Sequence, residues 1–388
     1  RVRLNCNGVE KRPLMSEKKG ATKNYIRKSG QFIYGKQNFH KGAFGVIPIE
    51  LDGFSSSGDL PAFDVDSRCL PEWINYWFKT DNRYLNLAKH AKGVGSQRVN
   101  VKSFLQEKIA LPSLKQQSQI IDKINKRKLT AESFKTEQTT QATLLSQLRQ
   151  AILQEAIEGK LTADWRKENP VRKGDPDYDT EALLEKIQAE KEKLIKEGKI
   201  KKQKPLAPIK ADEVPFELPE GWVWTRLGEI CSKITDGFHN TPPKKTTGVP
   251  YIAATHVNED FIDWANCHYV DEIYHRELYY KAFPQIGELL VVNIGAGCGI
   301  AAIIDVDYEF SFKNTAILKF NQDYILNKYL LFYFILNRPD IYSDLTKGGL
   351  QPFLSLSILN HILIPLPPFT EQQAIVERVE KLLSMVDE

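Results

Sequence analysis

Short apolar runs and longer stretches with helical spacing alternate along this chain. Residues 289–294 and 300–306 are apolar, rich in branched side chains and bounded by turn-forming residues, which is typical of β-strands. Residues 72–87 and 327–336 repeat aromatic and aliphatic side chains at a helical period, which predicts two amphipathic helices. The pattern therefore predicts an α+β protein with several short strands.

The chain contains a second copy of its own pattern. Residues 93–126 and 348–381 align without a gap at an offset of 255 residues. Upstream, residues 30–33 parallel residues 287–290. Identical positions in the gap-free part are Gly93 and Gly348, Ile109 and Ile364, Leu111 and Leu366, Pro112 and Pro367, Gln117 and Gln372, and Ile120 and Ile375. Chance similarity between the turns of two β-rich domains does not account for so many ordered matches, and we infer an internal duplication.

Each copy ends in a proline followed by a predicted helix. Ser113 with Gln116, and Thr370 with Gln373, have the spacing of a capping box at a helix start. The first helix is expected to run from residue 114 to Gly159, with an interruption near Thr130. The two helices carry apolar residues at the spacing of a coiled-coil seam, although a helix packed on a globular core would show the same pattern. These seam residues are Leu145, Leu148, Ile152, Ile375, Val379 and Leu382.

Between the copies, residues 161–216 are polar and rich in charge, which predicts a linker. Residues 181–204 form a Glu/Lys stretch with weak helical periodicity. Two interpretations remain open for its lysines, a solvated helix face and a contact with a phosphate backbone.

Composition limits the possible classes of protein. The 388 residues carry 53 Lys and Arg against 49 Asp and Glu, a net charge of +4 that neither demands nor excludes a polyanionic partner. No apolar run is long enough for a membrane span. The five cysteines are scattered without a CxxC pair, which argues against a disulfide framework or a zinc site and favours the cytoplasm.

Known catalytic motifs do not match the chain. The glycine-rich stretch at residues 289–299 resembles a phosphate-binding loop, but a strand-like run follows it, so a tight turn between strands is the better interpretation. A nucleotide-binding GxxxxGK[ST] loop and the Asn/Asp-Pro-Pro-aromatic loop of DNA methyltransferases are absent from the sequence. The spacings of His239, His256, His268 and His275 match no helical zinc pair. The sequence therefore indicates a binding protein without catalytic or metal-binding residues.

Polar and basic loops recur at matching positions in the two copies. Such loops could contact base edges and phosphates together, although any single one could be an ordinary solvated turn. The candidate DNA-binding residues are Lys36, His40, Lys41, Gln97, Arg98, Thr235, Gly237, His239, Thr241, Lys244, Lys245, Asn293, Lys347 and Gln351.

Several segments resemble one family. Residues 219–230, PEGWVWTRLGEI, are similar to the opening of a target recognition domain in the DNA specificity subunits of type I restriction–modification systems. Residues 364–373, IPLPPFTEQQ, resemble the junction of that domain with a conserved helix, and residues 148–162 resemble the end of the family's central helix. The resemblance covers almost the whole chain.

The resemblance implies two target recognition domains separated by long antiparallel coiled-coil helices. The expected divisions are a first recognition domain at 1–112, a central helix at 113–160, a charged linker at 161–216, a second recognition domain at 217–368, and a short C-terminal helix at 369–388. Because only 29 residues precede Gly30, against 68 between Pro219 and Gly287, we expect the first domain to lack its opening strands.

The resemblance also implies the partners. Each recognition domain would recognise half of a bipartite sequence in double-stranded DNA. The helices would bind two methyltransferase (modification) subunits, which a restriction (translocase) subunit joins. The seam residues of the two helices would then lie at the subunit interface: Leu145, Leu148, Ile152, Ile375, Val379 and Leu382. No cofactor is expected in this chain, since S-adenosylmethionine, ATP and Mg²⁺ belong to the partner subunits. The alternatives are a self-contained S-adenosylmethionine-dependent DNA methyltransferase fragment and a scaffold that does not recognise DNA.

Overall fold

The computed structural model describes residues 1–13, 23–88, 98–237, 243–347 and 351–387. The chain divides into two compact units, Arg1–Thr140 and Gln141–Glu388, here the first and second unit. A single long helix contributes residues to both units. Among the described residues, no helix is long and apolar enough to cross a membrane.

Aromatic side chains form the core of the first unit. The described part contains the strands β1 (Asn24–Ile26), β2 (Phe32–Tyr34), β3 (Phe44–Val46), β4 (Ser55–Ser57) and β5 (Ala62–Phe63), and the helices α1 (Pro71–Lys79), α2 (Tyr84–Ala88), α3 (Val101–Leu105) and α4 (Leu114–Ile157). Strand β2 pairs antiparallel with β3 and β5, and β1 pairs antiparallel with β4. The Phe32 ring lies 6.0 Å from those of Phe44 and Phe78, centroid to centroid. Helices α1 and α2 replace the single helix predicted at 72–87, because the backbone turns at Asp81, which has a φ of 51°.

The long helix α4 has the bounds expected for the central helix. Its 44 residues correspond to a length of about 66 Å. Gly159, with a φ of 71°, follows its end, as the sequence predicted. The predicted interruption near Thr130 is wrong: the Thr130 hydroxyl donates to the carbonyl of Lys126 at 3.0 Å, so the side chain is accommodated within a continuous helix.

Only one of the two predicted capping boxes forms. The amide of Gln116 donates to Ser113 Oγ at 3.4 Å, and the amide of Ser113 donates to Gln116 Oε1 at 3.1 Å. The Thr370 hydroxyl instead donates to the backbone carbonyl of Asp177 at 2.6 Å. The second box is therefore a wrong prediction, because Thr370 is used to hold a distant segment of the chain.

The second unit is built on two sheets and a strand pair. Its described residues contain the helices α5 (Ala163–Glu168), α6 (Thr180–Lys196), α7 (Leu227–Ile230), α8 (Glu272–Ala282), α9 (Asn327–Asp340), α10 (Leu356–His361) and α11 (Phe369–Asp387). Its strands include β6 (Val223–Arg226), β7 (Lys233–Asp236), β8 (Val249–Ala253), β9 (His268–Val270), β10 (Leu289–Val292), β11 (Ala301–Ile303), β12 (Ser311–Lys313), β13 (Thr315–Lys319) and β14 (Leu363–Leu366). The four-stranded sheet has the order β11-β10-β13-β7, all antiparallel; β8 pairs with β12 and β9; β14 pairs with β6.

Both faces of the four-stranded sheet are covered. Leu289 and Val291 of β10 lie in one hydrophobic cluster, and Leu290 lies in another on the opposite face. Strands β10 and β11 form an antiparallel hairpin, in which the amide of Gly299 donates to Val292 at 2.9 Å. The glycine-rich stretch is therefore a tight turn between strands, as predicted.

The charged segment 161–216 lies within the second unit and does not form a solvated linker. Leu183 and Ile187 of α6 are buried in the main core of that unit. The Lys191 ammonium donates to the carbonyl of Gly228 at 2.7 Å. The burial of α6 was not predicted, because its apolar stripe is short and surrounded by Glu and Lys.

The same glutamine contact occurs in both units. In the second unit, Gln372 is fully buried on α11, and its Oε1 accepts the amide of Leu326 at 2.8 Å. Its Nε2 donates to the carbonyls of Tyr324 and Pro367 at 3.1 and 3.2 Å. Leu326 immediately precedes α9, so the three bonds join the start of α11 to the start of α9. We call this contact the glutamine junction.

The first unit repeats the junction with Gln117 of α4. Its Oε1 accepts the amide of Leu70, the residue before α1, at 2.8 Å. Its Nε2 donates to the carbonyls of Arg68 and Pro112 at 2.9 and 2.7 Å. Equivalent atoms are joined in the two units, which supports the internal duplication inferred from the sequence.

Candidate nucleic-acid interface

One edge of the four-stranded sheet gathers three loops of the second unit. Strand β10 ends at Val292, opposite Thr315, the first residue of β13. The next amide, that of Asn293, donates to the carbonyl of Asn314 at 3.1 Å. The amide of Gly237, just after β7, donates to Thr315 at 3.3 Å. The loops after β7 and β10 therefore leave the sheet beside the turn that precedes β13.

A fourth segment returns to this edge after α9. Lys347 and Phe353 exchange two backbone hydrogen bonds of 3.0 and 2.8 Å. The amide of Leu354 donates to the carbonyl of Asn293 at 2.8 Å, and that of Gly295 donates to the carbonyl before Phe353 at 2.8 Å. The structure thus brings together the backbone of four predicted positions, which are Gly237, Asn293, Lys347 and Gln351.

The exposed side chains at this edge have the chemistry that DNA requires. Lys347 and Gln351 are exposed, and so is the ring of Phe353, at 41%. An ammonium group binds phosphate, a glutamine amide can bind a base edge, and an apolar ring can contact a thymine methyl group. Phe353 was not predicted as a site residue, although a large aromatic residue inside a polar, glycine-containing turn could have indicated a binding surface.

Burial argues against side-chain contacts with DNA at two predicted positions. The side chains of Thr235 and Asn293 are only 6% and 5% exposed, since both faces of their sheet are covered. A side chain at Gly237 would place its Cβ 2.1 Å from the carbonyl oxygen of Phe312. Thr235, Gly237 and Asn293 therefore shape the edge of the sheet and do not offer side chains to DNA.

Lys244 and Lys245, in the connection between β7 and β8, are exposed and lie beside strand β9. Lys244 Nζ lies 2.7 Å from His268 Nε2, and Lys245 Nζ lies 3.8 Å from a carboxylate oxygen of Asp271. The His268 ring packs edge-on against His256, with centroids 4.9 Å apart. Burial lowers the pKa of His256, and the neighbouring His268 lowers it further. Within the described residues, no group of three or more His, Cys, Asp or Glu side chains is arranged to hold a metal ion.

The first unit has an equivalent of this edge. The amide of Val99 donates to the carbonyl of Lys36 at 2.8 Å. In the second unit, Leu354 and Asn293 form the equivalent bond at the same length. The duplication therefore extends to the backbone contact that holds the returning segment against the sheet.

Charged side chains surround the edge in the first unit. Arg98 is exposed, with Nη1 3.4 Å from Asp59 Oδ1, and the carbonyl of Asp59 accepts the amide of Lys36 at 3.0 Å. Lys41 is exposed, whereas His40 is half-buried with no hydrogen-bond partner for Nδ1 among the described residues. Lys36 and Arg98 thus both contact Asp59, Lys36 through backbone atoms and Arg98 through its side chain. The predicted residues Gln97, His239 and Thr241 lie outside the described residues.

The predicted subunit-interface residues divide into two groups. Leu145 and Leu148 of α4 are 36% and 48% exposed. Ile152, Ile375 and Val379 are buried in the core of the second unit, and Leu382 is partly buried against it. For Ile152, Ile375 and Val379 the prediction is wrong, because these side chains are buried within this chain; for the partly buried Leu382 it stays a prediction.

A buried carboxylate also ties α11 to the chain that follows α4. Glu371 is 1% exposed and accepts the Thr162 hydroxyl at 2.6 Å and the Trp222 indole N–H at 2.8 Å. Arg166 forms an ion pair with the same carboxylate. The buried structural role of Glu371 was not predicted, although Glu371 lies next to Gln372 in a matched motif.

Comparisons with known proteins agree with this architecture. Residues 219–387 match the family described as the type I restriction modification DNA specificity domain. The chain is 32% identical over 263 residues to the type I restriction enzyme EcoAI specificity subunit of Escherichia coli, an alignment covering 65% of this chain and 42% of that protein. It is 30% identical over 275 residues to the EcoEI specificity subunit of Escherichia coli, covering 66% and 43%. Over residues 219–387 the chain is therefore similar to the DNA specificity domain of type I restriction–modification systems, and both of these relatives are specificity subunits.

Solved structures in this family share the fold. The crystal structure of the HsdS subunit from Thermoanaerobacter tengcongensis has a TM-score of 0.51 at 17% identity, covering 93% of this chain and 75% of that one. A chain from a structure of the type I R-M system has a TM-score of 0.53 at 18% identity, covering 95% and 77%. The predicted α+β fold class is confirmed, and α4 fits the helical linker of a specificity subunit. The chain spans less than half the length of the curated relatives described above.

Proposed function

We propose that this chain is the DNA-recognition subunit of a type I restriction–modification complex and recognises a bipartite sequence. The observation that carries the proposal is the duplicated edge, at which Lys36–Val99 and Asn293–Leu354 form the same backbone contact in a chain similar to this family. Two unlike copies of one recognition module can bind two unlike half-sites, as a symmetric dimer binds two identical ones.

The charge of the chain is compatible with this role. A net charge of +4 is small for a DNA-binding protein of 388 residues, so the phosphate contacts have to be local. The exposed Lys347, Lys244 and Lys245 of the second unit, and Lys41 of the first, could supply them.

Catalysis is assigned to the partner subunits in this proposal. The chain would bind two methyltransferase (modification) subunits and the restriction (translocase) subunits, which would hold S-adenosylmethionine, ATP and Mg²⁺. The alternative of a self-contained methyltransferase gains no support from the relatives, which are specificity subunits. Its best sequence signal, the glycine-rich stretch, is a hairpin between antiparallel strands. Because the DNA target is chromosomal or invading DNA, the proposal places the protein in the cytoplasm.

DNA binding by the second unit can be tested at its exposed loop. The target is first defined by mapping methylated sites in the host genome, and binding is measured by gel shift at several salt concentrations with the methyltransferase subunit present. We expect Lys347→Ala with Gln351→Ala to weaken binding and to lower the slope of log K against log[salt] by about 1.

The matched control is Lys173→Ala, which removes an exposed lysine outside the stretch 181–204 and distant in sequence from the loop. An unchanged affinity and slope for the double variant, or an equal loss for Lys173→Ala, would contradict the assignment of this edge. Absence of target binding by the wild-type chain together with its methyltransferase would contradict the proposed function itself.

A further inference from the structure

A cavity of about 860 Å³ opens in the second unit, on residues that the proposed DNA interface does not use. Helical walls are formed by the last turn of α4, the last turns of α9 with the π-helical turn Ile341–Leu345 that continues it, and α10. Strand β14 and residues 213–216 complete the lining. This volume is in the range of ligand-binding pockets, roughly 300–1,000 Å³.

The lining of the cavity is acidic. It contains Glu158, Glu213, Asp340 and Asp344 but no Lys or Arg. Glu158 forms an ion pair with Lys160, and Glu213 pairs with a buried arginine at 2.8 Å. Within the described part of the chain, no ion pair joins Asp340 or Asp344 to a basic side chain. These two exposed carboxylates are therefore available to a cation from outside.

Two helix ends add to the negative potential. Helix α4 ends at Ile157, and the π-helical turn that continues α9 ends at Leu345; both residues line the cavity. The last carbonyl groups of a helix carry a partial negative charge, which favours cations near that end. Side chains and backbone thus favour the same sign of ligand and disfavour a phosphate backbone.

Apolar side chains cover the rest of the wall. Phe216 packs edge-on against Trp224, with ring centroids 4.9 Å apart, and the Trp224 indole donates to the Phe216 carbonyl at 3.3 Å. Leu336, Ile358 and the 36%-exposed Leu345 also line the space. A small hydrated cation would gain nothing from these groups, whereas apolar side chains beside a basic one would bury against them.

We propose that this cavity binds a segment of a partner protein in which an arginine or lysine is flanked by apolar side chains. The basic group pairs with Asp340 and Asp344 near the ends of α4 and α9, and its apolar neighbours contact Phe216, Trp224 and Leu345. The inference rests on the proposed function for the existence of partner subunits and deepens it, because it assigns one docking surface and the chemistry of the segment that binds there.

The test uses the full chain and a fluorescein-labelled amphipathic peptide of Leu and Arg, with a Leu and Glu peptide of the same length as its counterpart. Fluorescence anisotropy measures binding, and the difference in tryptophan emission between the wild-type chain and Trp224→Phe reports occupancy of the cavity. We expect the Arg peptide to bind more tightly than the Glu peptide. Asp340→Lys with Asp344→Lys should weaken the Arg peptide about tenfold or more.

The matched control is Glu185→Lys with Glu192→Lys, which makes the same charge change at exposed positions of α6 outside the cavity. If circular dichroism shows that Asp340→Lys with Asp344→Lys perturbs folding, Asp340→Asn with Asp344→Asn replaces it and should also weaken binding. Equal binding of the two peptides by the wild-type chain, or equal losses in the cavity and control variants, would overturn the proposal. DNA binding is measured on the same variants and is expected to be unchanged, so a failure of DNA recognition is seen separately.

Discussion

The glutamine junction should make a large contribution to the stability of each unit. Gln372→Leu in the second unit keeps a side chain of similar length but removes three hydrogen bonds to backbone groups. Gln372 is fully buried, so water cannot replace the lost partner of the Leu326 amide or of the two carbonyls. At about 1 kcal/mol for each bond, the free energy of unfolding should fall by about 3 kcal/mol.

The neighbouring residue supplies the control. Gln373 is exposed on the same turn of α11, so Gln373→Leu should change the free energy of unfolding by less than about 0.5 kcal/mol. Urea unfolding followed by circular dichroism gives both values, and hydrogen exchange of the Leu326 amide reports the lost bond directly. Gln117→Leu should have an effect of the same size in the first unit. If Gln372→Leu costs no more than Gln373→Leu, the junction does not stabilise the fold and our reasoning is wrong.

Three further predictions follow from burial and charge. Ile152→Asp should unfold the second unit, because it buries a charge in the core. Leu148→Asp should leave the circular dichroism of the chain unchanged and reduce co-purification with the methyltransferase subunit. Normal co-purification of the Leu148 variant would argue against an interface at Leu148. Gly237→Ala should lower the melting temperature by several degrees, because its Cβ would lie 2.1 Å from a backbone carbonyl oxygen, and an unchanged melting temperature would refute that close contact. The bond to Arg378 lowers the pKa of Asp164 to about 2. The stability that this bond provides should be present above pH 4 and lost as the pH falls towards 2. Arg378→Leu should therefore flatten the dependence of the melting temperature on pH across that window. An unaltered profile would exclude the pairing.

The repeated architecture could be predicted from the sequence because its periodic signals are local. The run from Leu114 to Gly159, and the matched positions of Gln117 and Gln372, are visible without a structure. What the two glutamines bind was not predictable, since their partners at Leu70 and Leu326 lie about 46 residues away and are backbone atoms.

The candidate DNA contacts were predicted less well than the fold. Thr235 and Asn293 have side chains that could bind bases, and a polar residue near a strand end is usually exposed. Here the sheet is covered on both faces, so its polar residues are buried with its apolar ones. Phe353 shows the opposite error, because no prediction named it and its ring is exposed at the loop.

The glutamine junction contacts only main-chain atoms of its partners. In the second unit these belong to Tyr324, Leu326 and Pro367, and in the first unit Arg68 takes the place of Tyr324 without altering the bonds. The geometry at the helix start is therefore insensitive to which side chains the recognition module carries. The segment between the two contact points can therefore vary in sequence while the helix still attaches in the same way.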